Sequence, residues 1–280
     1  MDSKNMNIHE KSGVVYLTFP MFDKYKFVKN AFSTRIGGVS KNEFASLNLN
    51  FGRGDCDRNV TENFHKFCLA AGFDFSTLTA SSQDHHTFIR RVYAENRGIG
   101  IFKPKDMQSV DGLITNEKNV TLVTYYADCV PLFFLDTKKR AIGLAHAGWR
   151  GTAAKIGEKT VKAMVREFNS NPSDIIAAIG PSIGPCCFEV DTPVYDEFMK
   201  LKEIKPDEFI KVKGAGKYMI DLWEANSRII KNAGVPKDNI TKANLCTKCN
   251  SGWLYSHRAL GPKRGGLAAM ICLTEDNNDN

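Results

Sequence analysis

Short apolar runs bounded by glycine, asparagine or aspartate recur along the chain and predict β-strands. The clearest are Val14–Phe19, Asp111–Thr115, Val120–Tyr125, Pro131–Asp136, Ala141–Ala147, Ile175–Ile179 and Gly266–Leu273. Stretches with the spacing of amphipathic helices lie among them, at Val60–Ala71, Thr152–Phe168, Pro193–Leu201 and Ile220–Ala233. Because strands and helices mix without strict alternation, the pattern favours an α+β layered sandwich with mixed sheets over a doubly wound parallel sheet.

The organisation of the chain is simple, because no proline/serine linker, low-complexity stretch or fixed-period repeat interrupts it. With 280 residues, of which 42% are hydrophobic, the chain can bury a core of ordinary size. We predict a single catalytic domain over residues 13–273. The polar residues 1–12 are expected to be a flexible N-terminus, and residues 274–280 a flexible acidic tail.

Composition excludes several classes of protein. No stretch of 18 apolar residues exists, and the polar N-terminus lacks the apolar run of a signal peptide. Eight cysteines without a signal peptide predict reduced thiols and a cytoplasmic location. The net charge of +7 is scattered rather than clustered, so we expect an anionic small substrate rather than nucleic acid or a membrane.

Three separate segments end on residues that bind soft metals or act as nucleophiles. His85 lies in a polar run, Cys129 follows Asp128 ahead of an apolar strand, and His146 ends a strand before Gly-Trp-Arg-Gly. Catalytic metal sites commonly combine three such protein ligands with one open position. Against this, a lone histidine or cysteine is often simply buried in the core, and His85 competes with His86 for the role of ligand.

The remaining cysteine pattern is weaker. Cys246 and Cys249 form a lone C-x-x-C, and Cys186 and Cys187 are adjacent. Because structural zinc sites are usually signalled by paired C-x-x-C units, we expect reduced thiols here and no second structural metal.

Taken in chain order, these segments resemble the YfiH-like family. Its members are historically called multicopper polyphenol oxidoreductase or laccase-domain proteins and are associated with purine nucleoside phosphorylase and adenosine deaminase activity. The matching motifs are S-T-R-I-G-G-V-S at 33–40, S-L-N-L-N at 46–50, Q-D-H at 83–85, D-G-L-I-T at 111–115, A-D-C at 127–129, A-H-A-G-W-R-G at 145–151, I-G-P-S-I-G-P-C-C-F-E-V at 179–190, C-T-K-C at 246–249 and S-H-R at 256–258.

The resemblance implies an α/β/β/α sandwich and a zinc ion bound by His85, Cys129 and His146. The expected activity is phosphorolysis of adenosine or inosine, and of methylthioadenosine as a further candidate, with adenosine deamination as a side activity. The expected partners are a purine nucleoside and phosphate, and the oligomeric state stays open. Copper is the less favoured metal, because the chain has only six histidines.

Roles for individual residues follow from the matched motifs. The catalytic candidates are Cys129, His146 and Asp128, with Glu189 as an alternative for proton transfer. Arg35, Asn48 and Arg150 are the candidates for substrate or phosphate contacts. The family pattern carries arginines where this chain has Ala259 and Gly266, so Arg264 or Lys263 is the candidate replacement.

Three other functions are compatible with the residues. Cys129 could be the nucleophile of a hydrolase with His146 as its base. A copper-dependent phenol oxidase would need several histidine-rich sites. A zinc-stabilised binding module would lose its fold on chelation without turning over nucleosides.

Overall fold

In the computed structural model, which describes residues 5–275, two six-stranded sheets form the centre of the protein. The first sheet has the order β1 (Asn7–Lys11), β2 (Val14–Thr18), β3 (Val28–Ser33), β15 (Leu267–Leu273), β7 (Thr121–Tyr126) and β4 (Leu78–Ala80). The second has the order β14 (Ile240–Lys242), β10 (Ile175–Ile179), β8 (Val130–Asp136), β9 (Ala141–Ala147), β6 (Val110–Thr115) and β5 (Phe88–Arg91). A small third sheet contains β11 (Glu189–Asp191), β13 (Lys217–Ile220) and β12 (Ile210–Gly214).

Three hydrophobic clusters stack these elements into layers. Helix α1 (Asp57–Ala71) packs on the outer face of the first sheet through Phe64 and Phe67. The inner faces of the two sheets meet in a cluster that contains Leu122, Phe133 and Ile271. On the outer face of the second sheet lie α3 (Ile156–Phe168) and α5 (Leu222–Asn232). The predicted α/β/β/α sandwich with mixed sheets is therefore confirmed.

The strands at the centre of the second sheet are the ones that the sequence predicts best. All residues of β8, β9 and β10 are buried, and a strand covered on both faces is a continuous apolar run. The bounds of β9 and β10 are the predicted ones. The neighbours of β9 are β8 and β6, both antiparallel to it, so their first residues lie beside its last residues.

Parts of the predicted flexible ends are ordered. Residues 7–11 form β1, which pairs with β2 through a tight turn in which Ser12 and Gly13 both have positive φ. At the other end, the amide of Thr274 donates to the carbonyl of Phe27, at 2.8 Å. Residues 1–4 and 276–280 lie outside the described part of the chain, so the predictions made for them stay predictions.

The predicted helix over residues 152–168 is wrong as a single element. It is two helices, α2 (Trp149–Ala153) and α3, separated at Lys155, whose φ of 59° lies in the left-handed region. Nothing in the apolar spacing indicates this break, because the buried face continues through it. The two remaining helices are α4 (Thr192–Met199) and α6 (His257–Leu260). No helix within residues 5–275 is long and apolar enough to cross a membrane.

Candidate metal centre

The antiparallel pairing of β8 with β9 brings two of the predicted metal ligands to one end of the second sheet, and a loop brings the third. Cys129 immediately precedes β8, and His146 is the penultimate residue of β9, where it pairs with Pro131. His85 comes from the loop between β4 and β5. One ligand atom from each of the three residues lies within 4.8 Å of the others, and Cys129 Sγ is 3.8 Å from His85 Nε2. Residues separated in sequence therefore form one cluster.

The buried carboxylate of Asp111, at the start of β6, organises two of these ligands. Its Oδ1 accepts a hydrogen bond from His146 Nδ1 at 2.8 Å and one from the amide of His85 at 3.0 Å. Its Oδ2 accepts from the amides of His86 and Asp84, at 3.0 and 3.2 Å. Because a carboxylate only accepts, Nδ1 of His146 is the donor and Nε2 is left for a metal.

The same contacts hold the loop in an unfavourable backbone conformation. His85 has a φ of 73°, in the left-handed region that residues with a Cβ rarely adopt. Three consecutive amides, from Asp84 to His86, point at one carboxylate, which accounts for the tight turn. The turn aims the His85 ring at the cluster and leaves His86 exposed beside Asp84, at 2.7 Å.

Charges within the cluster shift the titration of its members. Burial by itself raises the pKa of the Cys129 thiol, but His146 and His85 more than offset this and bring the pKa to about 6. Burial by itself lowers the pKa of His146, but Cys129 and Asp111 raise it to about 9. The protein therefore favours a thiolate at Cys129, the form of cysteine that binds metals.

Gly148 gives the cluster the room it needs. A Cβ at this position would lie 2.8 Å from Cδ2 of His85 and 3.2 Å from Sγ of Cys129. The first distance is below any normal contact, and both neighbours are predicted ligands. The glycine two residues after His146 in A-H-A-G is therefore explained by the close approach of the His85 ring.

Asp128 is fixed by hydrogen bonds from elsewhere in the chain. Its Oδ1 accepts from the hydroxyl of Thr247 at 2.6 Å, and its Oδ2 accepts from the amide of Arg258 at 2.7 Å. Its φ is 89°, so these bonds hold a left-handed residue next to Cys129. Both carboxylate oxygens are engaged, which suits a positioning role better than proton transfer.

A cleft of about 580 Å³ opens onto the cluster, a size typical of small-molecule sites. Its aromatic and aliphatic lining could contact a flat, apolar ligand surface. Basic side chains line the same cleft and could contact an anion. The aromatic lining residues are Phe51, Tyr125, Tyr126, Trp149 and Phe188, and the basic ones are Arg53, Lys105, His257, Arg258 and Arg264.

Arg264 is the most informative of these basic residues. It is buried, its Nη1 donates to the carbonyl of Gly265, and its Nε has no hydrogen-bond partner among residues 5–275. Burial, together with the charge of Arg53, lowers the pKa of Arg264. A guanidinium that lines the cleft beside a second arginine is suited to an anion that enters the cleft.

The predicted substrate contacts Arg35, Asn48 and Arg150 do not line this cleft. Arg35 donates to the carbonyls of Ala45 and Ser251 and stacks on Tyr255. Asn48 is fully buried, and its side chain bonds within its own loop and to the amide of Gly266. Arg150 is exposed and lies over the ring of Trp149. Arg35 and Asn48 therefore hold loops in place, and Glu189 pairs with Lys213 outside the cleft.

The sequence interpretation missed the roles of Asp111, Arg53 and Lys105. For Asp111 a signal was present, because a carboxylate at the start of an apolar strand is costly to bury without a partner. Arg53 and Lys105 lie in loops with no distinctive spacing, so only the fold shows that they share a cleft with Arg264.

The fold and the cluster together define a candidate metalloenzyme, and comparison with known proteins agrees with the fold. A family described as multi-copper polyphenol oxidoreductase laccase matches residues 29–274. The chain is 37% identical over 251 residues to the purine nucleoside phosphorylase YlmD of Bacillus subtilis. The alignment covers 89% of this chain and 90% of that protein. It is 31% identical over 250 residues to adenosine deaminase RL5 of an unknown prokaryotic organism, covering 87% and 95%.

The structure gives the same relationship. The crystal structure of the Bacillus licheniformis protein YfiH aligns with a TM-score of 0.90 at 32% identity, and the match covers 95% of this chain and 99% of that one. The chain belongs to the multi-copper polyphenol oxidoreductase laccase family, so the predicted resemblance is confirmed.

The adjacent histidines provide a matched test of the ligand set. His85→Ala should abolish zinc binding at this centre, because the ring of His85 points at Cys129. His86→Ala should retain it, because the ring of His86 points to solvent and Asp84. Zinc content measured by elemental analysis, after competition with a chelator strong enough to strip weak sites, distinguishes the two variants. The opposite pattern would show that His86 is the ligand.

Proposed function

We propose that the protein is a zinc-dependent enzyme that cleaves purine nucleosides with phosphate, and that it deaminates adenosine more slowly. The observation that carries the proposal is the shared cleft, which joins a His–Cys–His cluster to the buried guanidinium of Arg264. Relatives named purine nucleoside phosphorylase and adenosine deaminase support the same assignment.

Zinc fits the donor set of His85, Cys129 and His146. Two imidazole nitrogens and one thiolate are preferred zinc ligands, and three protein ligands leave one position open for substrate. Among the six histidines only His85 and His146 share a potential ligand group within the described residues, whereas a multi-copper oxidase needs several histidine-rich sites. When bound, the zinc ion would supply a Lewis acid that polarises a group of the substrate.

The cleft offers separate surfaces for the two substrates. Aromatic side chains such as Phe51, Trp149 and Phe188 suit stacking against a purine. Arg53 and Arg264 suit phosphate, since arginine binds two oxygens at once. In this arrangement a phosphate oxygen forms the bond to C1′ as the glycosidic C–N bond breaks. The electron pair of that bond stays on the purine, which takes up the proton that the attacking hydrogen phosphate loses.

Asp111 and Asp128 act in this proposal by holding other groups. Asp111 fixes the orientation of His146 through Nδ1, and it fixes the His85 turn through backbone amides. Asp128 holds the backbone beside Cys129 and the amide of Arg258. Both are assigned as positioning residues, a role that differs from the proton transfer for which the sequence offered Asp128 or Glu189.

One observation supports the alternative function of a cysteine hydrolase: His146 favours the thiolate form of Cys129. In that enzyme the same thiolate would be acylated by substrate, and zinc would inhibit by occupying it. The two functions are therefore distinguished by activity with and without zinc. An active zinc-loaded protein and an inactive apoprotein would favour the zinc-dependent enzyme.

The function is tested by incubating zinc-loaded protein with adenosine and inosine, with and without phosphate, and identifying the products. We expect free base and ribose 1-phosphate only when phosphate is present, and slower formation of inosine from adenosine. Cys129→Ala should remove both activities. If the zinc-loaded enzyme leaves both nucleosides unchanged in phosphate buffer, the proposed function is wrong.

The phosphate subsite is tested separately from the chemistry. Arg53→Ala and Arg264→Ala should raise the KM for phosphate by about tenfold or more, because one charge-assisted contact contributes roughly 1.5–3 kcal/mol. Arg150→Ala is the control, since Arg150 is exposed and does not line the cleft. Zinc content and Tm, measured on every variant, separate a lost contact from a damaged fold. If the KM for phosphate rises in Arg150→Ala and stays unchanged in Arg53→Ala and Arg264→Ala, phosphate does not bind at Arg53 and Arg264.

A further inference from the structure

A second group of four cysteines lies where two parallel strands end. The neighbouring strands β10 and β14 are parallel, and their last residues, Ile179 and Lys242, are paired. The segments that leave them continue side by side, with the amide of Ser182 donating to Leu245 and the amide of Thr247 donating to Ser182, at 3.2 and 3.0 Å. This pairing brings the Cys186–Cys187 turn against the Cys246–Cys249 turn, which the sequence spacing alone did not predict.

The four sulfurs have the spacing of a metal site. All lie within 4.8 Å of one another, and Cys249 Sγ is 3.5 Å from that of Cys186 and 3.4 Å from that of Cys187. A tetrahedral zinc ion with bonds of about 2.3 Å separates its sulfurs by about 3.8 Å. A disulfide would need about 2.05 Å. The observed distances are much closer to the first arrangement.

Hydrogen bonding supports a thiolate at Cys246. Its Sγ accepts the amide of Gly184 at 3.2 Å, so a backbone donor from the first turn reaches a sulfur of the second. A Cβ on Gly184 would lie 3.1 Å from Cβ of Cys246 and 2.7 Å from the ring of Trp223, so the turn can approach this closely only with glycine. Donors of this kind orient and stabilise metal ligands.

Burial argues against simple core packing of these thiols. Cys186 and Cys249 are exposed and Cys187 is half-buried, whereas free cysteines that serve as packing groups are among the most buried residues. Cys246 is buried in the core, so packing accounts for Cys246 but not for the exposed Cys186 and Cys249, whose sulfurs lie beside it. Coordination of a soft cation is the chemistry that this donor set favours.

We propose that Cys186, Cys187, Cys246 and Cys249 bind a structural zinc ion that is separate from the His85–Cys129–His146 centre. This proposal differs from the sequence-based expectation of four unliganded thiols. The donor set is closed, with four thiolates and no open position, as in structural rather than catalytic zinc sites. The proposal does not depend on the proposed nucleoside chemistry.

The position of the four cysteines gives the zinc ion a role in shaping the cleft. The turn that carries Cys186 supplies the amide of Ile183, which donates to the carbonyl of Asp128 at 2.9 Å. The other turn supplies Thr247, whose hydroxyl donates to the Asp128 carboxylate. Asp128 is therefore held from both turns, next to Cys129. Arg258 adds a further link by donating from Nη1 to the carbonyl of Cys187 at 3.2 Å.

The metal content of matched variants tests the proposal. Zinc-replete wild-type protein should contain about two zinc ions per chain, and Cys249→Ser and His146→Ala should each contain about one. The double variant should contain almost none. Cys56→Ser is the control, because Cys56 is exposed and belongs to neither group, so it should keep the wild-type content. Cys249→Ser should also lower Tm, since zinc bound to the folded state adds stability.

X-ray absorption on the wild-type protein tests the same claim without any substitution that could unfold the chain. Two occupied sites should give about 2.5 sulfur neighbours per zinc ion on average, because one site supplies four thiolates and the other one. An average of about one sulfur would overturn the proposal. So would a zinc content that Cys249→Ser leaves unchanged, or a mass under non-reducing conditions that shows a disulfide among these cysteines in protein purified anaerobically.

Discussion

The candidate metal centre depends on one buried carboxylate, that of Asp111. It fixes the ring of His146 through Nδ1 and the loop of His85 through consecutive backbone amides. Without this acceptor, a left-handed His85 would have no compensation for its backbone strain. The antiparallel register that places the start of β6 beside the end of β9 is what puts the carboxylate there.

The chemistry of the molecule is concentrated at one end of the second sheet. The end of β9 and the starts of β6 and β8 carry His146, Asp111 and Cys129, and the loop between β4 and β5 adds His85. The ends of β10 and β14 lead to the four cysteines. Asp128 lies between the two groups and is bonded to both cysteine turns. A structural site in these turns would therefore stiffen the part of the cleft wall next to Cys129.

Sequence reasoning succeeded where a pattern had a local cause. Continuous apolar runs predicted β9 and β10 to the residue, and matched motifs singled out His85, Cys129 and His146, which the structure brings together. It was less successful where contacts between residues far apart in the sequence decide what a side chain binds. Arg35 carries a motif yet donates to loop carbonyls, whereas Arg264, which the sequence offered only as one of two replacements with Lys263, lines the cleft. The spacing of residues in the sequence does not predict whether the donors of an arginine are already used in hydrogen bonds within the protein.

The most direct test of this account is the zinc affinity of Asp111→Asn, a change of nearly equal shape. An amide can present an NH₂ group where the carboxylate accepts hydrogen bonds, so it cannot hold His146 and the three amides in the same way. Loss of such a partner typically weakens metal binding by about 10–100-fold. Chelator competition on folded protein should show that loss at the His85–Cys129–His146 centre. An unchanged affinity would contradict the central role given to Asp111.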